Sequence, residues 1–216
     1  MFKGLIPLAL LAANPAFATT IILTQVDSTL GQTIAFYDYG NNATNWVGGV
    51  DATVAGYSRV LYCVQLSVNI HVPGTYDSVL DFADAVNMQR VSWLMQYHAP
   101  TTPVTGAGFQ LALWDILQDG ADGFSAGNVR AATSGPATPD DVLTAAQNYE
   151  TISAGNSSTA AILYNNFLNG VPQQELIGFW VTDGGPSAAP EPAAIFLMIG
   201  GLALIGLGRL RLGSRG

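Results

Sequence analysis

A single cysteine, Cys63, stands in this chain of 216 residues. No intramolecular disulfide is possible, so the thiol is an inert buried group, half of an intermolecular bridge, or a centre with its own chemistry. Its position bears on the choice. Tyr57 to His71 reads as a strand, with Val60, Tyr62, Val64, Leu66, Val68 and Ile70 alternating with Leu61, Cys63, Gln65, Ser67 and Asn69. Cys63 falls on the face opposite the apolar stripe, where a merely core-filling cysteine is not expected. A glutamine is also out of place. Wound as a helix at about 100° per residue, Phe109 to Gln118 presents a broad apolar arc of Phe109, Ala112, Leu113, Trp114, Ile116 and Leu117. Asp115 and Gln118 fall outside that arc, but Gln110 falls inside it. A buried carboxamide costs about 1–3 kcal/mol unless it is hydrogen-bonded or used.

Together the two residues can do what neither does alone. A cysteine sulfur can attack a glutamine carboxamide carbon and expel ammonia, leaving an internal thioester. An amine can open that bond and leave a stable amide on the glutamine carbonyl. Tyr62-Cys63 on a strand and Phe109-Gln110-Leu111-Ala112-Leu113-Trp114 on a helix resemble the two motifs of bacterial thioester domains. Val91-Ser92-Trp93-Leu94-Met95 is similar to a further part of that pattern. The family favours a small or polar residue before the glutamine, where this chain has Phe109. The resemblance spans roughly 57–118. It implies a β-sandwich with a helical part, a surface adhesin, Cys63 and Gln110 as the cross-linked pair, and Tyr62, Ala112 and Trp114 as their support.

The two ends carry addresses. Lys3, the apolar run Leu5 to Ala13 and Ala16-Phe17-Ala18 read as a signal peptide over 1–18, with the mature chain starting near Thr19. Residues 184–189 are a linker of Gly, Pro, Ser and Ala. Pro190-Glu191-Pro192 follows, then the uncharged stretch 193–208, then Arg209, Arg211 and Arg215. A helix over 193–208 would rise about 24 Å, close to the roughly 30 Å hydrocarbon core, and the arginines would hold that end in the cytoplasm. The order of parts over 190–216 resembles the PEP-CTERM sorting signal of Gram-negative bacteria. That resemblance implies recognition at Pro190, Glu191 and Pro192 by an exosortase, removal of the tail, and a cell-surface or matrix location in a host that makes exopolysaccharide. Similar Cys and Gln motifs occur in some PEP-CTERM proteins. The alternative is a plain membrane anchor.

Between Thr19 and Ala189 there are fourteen acidic and three basic residues, a net charge of −11, and no lysine. Nothing there would neutralise phosphates, so nucleic acid is excluded as a partner, and a cationic or amine-bearing molecule is favoured. A body without lysine cannot consume its own activated acyl group. His71 and His98 are the only histidines, and a cysteine hydrolase would need one of them beside Cys63. Asp119-Gly120-Ala121-Asp122-Gly123 could hold calcium, but it lacks the spacing and closing glutamate of an EF-hand and reads as a solvated turn. No zinc spacing, phosphate loop or serine elbow is present, and no cofactor or metal is expected.

The elements that must position this chemistry read as α+β: an antiparallel β-sandwich or barrel with an inserted helical subdomain, followed by the C-terminal transmembrane helix. Strands are expected over 19–72, including Thr20 to Val26 and Thr33 to Tyr39, with turns at Gly40-Asn41-Asn42 and Gly48-Gly49. A helical part is expected over 77–153. It comprises Phe82 to His98, ended by Pro100 and Pro103, then Phe109 to Gln118, launched from Gly106 and Gly108. A third helix to about Ile152 opens with Thr138 as N-cap and Pro139 at its first position. A loop fills 119–139. Strands return over 159–182, Ala160 to Asn165 pairing with Glu175 to Thr182, although Ala160 to Leu168 could be a short helix. The body 19–183 is thus read as an exported thioester-like, adhesive domain. The alternatives are a non-covalent matrix component and a cysteine hydrolase.

Overall fold

The computed structural model describes residues 18–66 and 68–179. Residues 1–17 of the expected signal peptide and the tail from 184 onward, with its expected span 193–208, lie outside the described residues, whereas Ala18, its expected last residue, already pairs with Val79 in the sheet. Among the described residues no helix is long and apolar enough to cross a membrane.

Among the described residues, eight strands and three helices build the body. The strands are β1 (Ala18–Asp38), β2 (Asn41–Val54), β3 (Tyr57–Cys63), β4 (Gly74–Phe82), β5 (Val129–Arg130), β6 (Ala161–Leu168), β7 (Val171–Pro172) and β8 (Leu176–Phe179). The helices are α1 (Val86–Tyr97), α2 (Pro103–Gln118) and α3 (Asp140–Ser153). All strand pairings are antiparallel, in the order β2-β3-β8-β6-β4-β1, and β1 also pairs with β2. The sheet therefore closes on itself, so the architecture is the barrel alternative of the α+β expectation, and closure removes the exposed edges that an open sheet must protect.

Closure depends on β1, which spans both expected N-terminal strands as one bent strand. Its register against β2 shifts between Leu23 and Gln25 and again between Val26 and Gly31. Gly48-Gly49 is not a turn. It lies inside β2 at the second shift, where a Cβ on Gly48 would stand 2.4 Å from the Cα of Gly31. Only glycine allows that approach, and a bulge is the usual way to bend a strand around a barrel.

Alternation sends strand side chains into two separate cores. Ile21, Leu23, Val54, Leu61, Tyr76, Ile162, Tyr164 and Leu176 fill the barrel. Ile34, Phe36, Val47, Tyr62 and Val64 face outward into a second core shared with the helices. The apolar stripe on β3 therefore faces the helical layer, while Cys63 packs against both cores.

Several expected boundaries move. The strand from Tyr57 ends at Cys63 rather than His71. The helical part does not begin at 77, because Asp77 to Phe82 pair with Phe167 to Ile162. Residues 74–82 alternate covered and exposed positions, but the inward Ser78 and outward Val79 reverse the polarity that alternation leads one to expect, which masks the strand in the sequence. Ala160 to Leu168 resolves as a strand, paired with β8. Pro103 does not end a helix but starts α2: Thr102 caps it, accepting from the Thr105 N–H at 3.1 Å within a capping box. Thr138 is not the cap of α3, which begins after Pro139. Its hydroxyl donates instead to the Ala35 carbonyl at 2.6 Å and accepts from the Ala132 N–H at 2.9 Å, pinning the 119–139 loop to β1.

Helix α2 is the hub. It packs on β1 and β2, on α3 and on α1, and an element covered on every side must be apolar all round. Gly106 and Gly108 are not its launch point but lie within it. A Cβ on Gly106 would stand 2.0 Å from the Leu30 carbonyl oxygen, and one on Gly108 would stand 2.6 Å from the Ala145 Cβ. The glycines let α2 lie directly against the bend in β1 and against α3.

Candidate functional site

The ladder between β2 and β3 ends at Val50 opposite Leu61. β3 runs two residues further, held on its other side by β8 through Tyr62–Ile177 and Cys63–Leu176. The backbone of Cys63 therefore has an open side. Gln110 fills it from α2. The Cys63 N–H donates to Gln110 Oε1 at 3.0 Å, and Gln110 Nε2 donates to the Cys63 carbonyl oxygen at 2.7 Å. The carboxamide thus pairs with the strand as a further strand residue would. Gln110 is 1% exposed, so the expectation that it points into the core holds. The two residues singled out in the sequence meet, although they are 47 positions apart.

Cys63 lines a cavity of about 220 Å³. Phe36, Val50, Leu66, Val68, Ile70 and Val72 supply apolar walls, and Asn45, Gln65, Asn69 and Gln174 supply carboxamides. No acidic or basic residue lines it, and neither histidine does. Trp114 lines it too, stacked on Phe36 with ring centroids 5.5 Å apart, and its buried indole Nε1–H has no partner. Ala112, two residues beyond Gln110 on α2, is fully buried in the helical core. Tyr62 does not join this cavity. It points to the other face of β3, meets the Phe109 ring edge-on at 4.7 Å, and lines a separate cavity of about 410 Å³. Phe109, the departure from the thioester motif, thus packs between Tyr62 and Tyr149.

Burial pushes the Cys63 thiol up to about 12. Ionisation would leave an uncompensated charge between two apolar cores, so the group is a thiol at neutral pH. Native Cys63 should therefore react very slowly with iodoacetamide at pH 8.5, where well under about one molecule in a thousand is thiolate. Alkylation followed by peptide mass mapping checks this, and unfolding should restore ordinary reactivity to any cysteine that is free.

Gln174 is a site residue that the sequence reading missed. It is fully buried. Its Nε2 donates to the Gln65 carbonyl at 2.7 Å, while its Oε1 has no partner. Behind it, Asn166 Nδ2 donates to the Gln174 carbonyl at 2.7 Å, and the Ser78 hydroxyl bonds the Asn166 Oδ1. The only available signal was Gln173-Gln174 leading into an apolar run.

Asp115 also differs from expectation. It is fully buried instead of lying outside the apolar arc, because α2 is covered on the side where α3 packs. Its carboxyl is drawn toward the protonated form by burial, as is that of Glu150 on α3, which faces it.

No protein-family model, curated protein or solved structure matches this chain. The functional reading therefore rests on the residues themselves.

Proposed function

We propose that the protein forms an internal thioester between Cys63 and Gln110 and uses it to attach covalently, once per molecule, to an amine-bearing partner. The observation that carries this reading is the paired hydrogen bonding of the Gln110 carboxamide to the Cys63 backbone. It delivers the acyl carbon to the residue that bears the thiol. In the reaction Cys63 Sγ bonds to Gln110 Cδ, the Cδ–Nε2 bond breaks, and the thiol proton leaves with Nε2 as ammonia. The Cys63 N–H already donates to Oε1 and would stabilise negative charge on that oxygen as the carbon becomes tetrahedral. The incoming amine returns a proton to sulfur and takes the acyl group. The uncharged cavity beside Cys63 favours a neutral amine, the nucleophilic form, over an ammonium. The reaction consumes the site, so the protein is a single-use covalent binder rather than an enzyme. The signal peptide and the Pro190-Glu191-Pro192 tail support an exported protein processed by an exosortase and acting at the surface or in the matrix of a Gram-negative bacterium.

A second reading is favoured by the same hydrogen bonds. They give both the oxygen and the nitrogen of a buried carboxamide a partner, and a non-covalent matrix component would need no more from Gln110 than this clamp. Intact mass decides between them. The protein should be lighter by one ammonia than its sequence requires, methylamine should add its own mass to the product, and Cys63→Ala should abolish both changes. A native protein of full mass would overturn the thioester reading. Thiol labelling alone would not decide, because burial protects Cys63 in either case.

A further inference from the structure

We propose that the protein binds a hard divalent cation of the calcium class where α2 ends, at a site independent of the Cys63–Gln110 chemistry. Asp115 on α2, with Asp119 and Asp122 in the loop that follows, brings carboxylate oxygens within 4.8 Å of one another. Ligands on one calcium ion lie about 2.3–2.6 Å from the metal, so two of them can be separated by up to roughly 5 Å. The three carboxylates fit that sphere.

The cluster does not stand alone. Asp115 is fully buried, and its Oδ1 has no partner, while Oδ2 accepts from the Gly123 N–H at 3.2 Å. From α3, Glu150, 9% exposed, brings a fourth carboxyl against Asp115, and its Oε1 also lacks a partner. Arg90 acts on Glu150 through space, its Nε and Nη2 hydrogens going to the Ser153 hydroxyl and the Glu150 carbonyl. Asp119 is oriented by three donors: its Oδ2 accepts from the Asn128 and Val129 N–H groups at 2.7 and 2.9 Å, and its Oδ1 accepts from Asn128 Nδ2 at 2.7 Å. At Gly127, with φ +83°, a Cβ would stand 2.8 Å from both Asp119 Oδ2 and Asp122 Oδ1. The backbone thus leaves space where those two oxygens converge. Buried carboxyls with unpaired oxygens need a proton or a cation, and an all-oxygen donor set of this charge suits calcium.

The test uses the purified full chain, stripped with chelator and titrated with calcium chloride by calorimetry. Saturable one-to-one binding is expected, in the sub-millimolar range. Asp122, exposed and outside the core, can be changed without unfolding the protein. Asp122→Asn should weaken binding at least tenfold while the melting temperature in chelator stays as in the wild type. Absence of saturable binding, with equal melting temperatures in calcium and in chelator, would overturn the proposal and leave a proton shared between Glu150 and Asp115. Binding unchanged in Asp122→Asn would overturn it equally.

Discussion

Gln110→Ala, made in a Cys63→Ala background where no thioester can form, should destabilise the protein by about 2–5 kcal/mol. The change strands the Cys63 N–H and carbonyl, which now bond the carboxamide at 3.0 and 2.7 Å. Each buried group left unpaired costs about 1–3 kcal/mol, and the vacated volume adds a cavity term. Denaturant unfolding of the two variants measures the difference. A loss under about 0.5 kcal/mol, the range of surface substitutions, would show that the paired contact does not form in solution. The background matters, because a wild-type cross-link would contribute stability of its own. The single change Gln110→Ala must also abolish any ammonia loss, since it removes the acyl carbon.

Gly106→Ala should do more damage than its single methyl suggests. The added carbon would sit 2.0 Å from the Leu30 carbonyl oxygen, so either α2 or the bend in β1 must move by more than an ångström. Overpacking of this kind costs about 1–3 kcal/mol. The larger effect is functional. Gly106 and Gln110 are four residues apart and share a helix face, so lifting α2 off β1 also lifts the carboxamide off Cys63. A displacement of about 1 Å can slow a positioned reaction about a hundredfold. On the proposed chemistry, freshly folded Gly106→Ala should lose ammonia far more slowly than the wild type, although Cys63 and Gln110 are intact. Time-resolved intact mass measures this. Equal rates would show that contact with β1 does not set the position of α2.

The site was more legible in the sequence than the strands that build it. Gln110 betrayed itself as a carboxamide on an apolar arc, and Cys63 as the one thiol off its stripe. Both signals are local, so periodicity alone could raise them. What periodicity could not supply was the depth of cover. Asp115 falls outside the apolar arc because a helical wheel knows one face, whereas α2 is enclosed by barrel and helices together and Asp115 is buried with the rest. β3 read too long because its apolar alternation continues past Cys63, although Cys63 pairs with Leu176 at the start of β8 and the strand itself ends there. Gln174 was invisible for a related reason. Its role comes from contacts with Gln65 and Asn166, made by segments that only barrel closure brings together. Pro103 and Thr138 show that the residues of a capping signal can be read correctly and still be assigned to the wrong end or the wrong partner.

The paired bonds between Gln110 and Cys63 also bear on how the proposed reaction ends. While the thioester exists, Nε2 is gone and the Cys63 carbonyl has lost its donor. A primary amine that opens the bond leaves a secondary amide, whose trans N–H points away from Oε1, so the attached group and not a hydrogen faces that carbonyl while Oε1 can still accept from the Cys63 N–H. Water leaves a carboxylate, which has no hydrogen to offer and sets an anion against the carbonyl oxygen. The strand edge thus tells the two outcomes apart: attachment leaves a neutral amide against it, whereas hydrolysis leaves a charge facing the carbonyl oxygen.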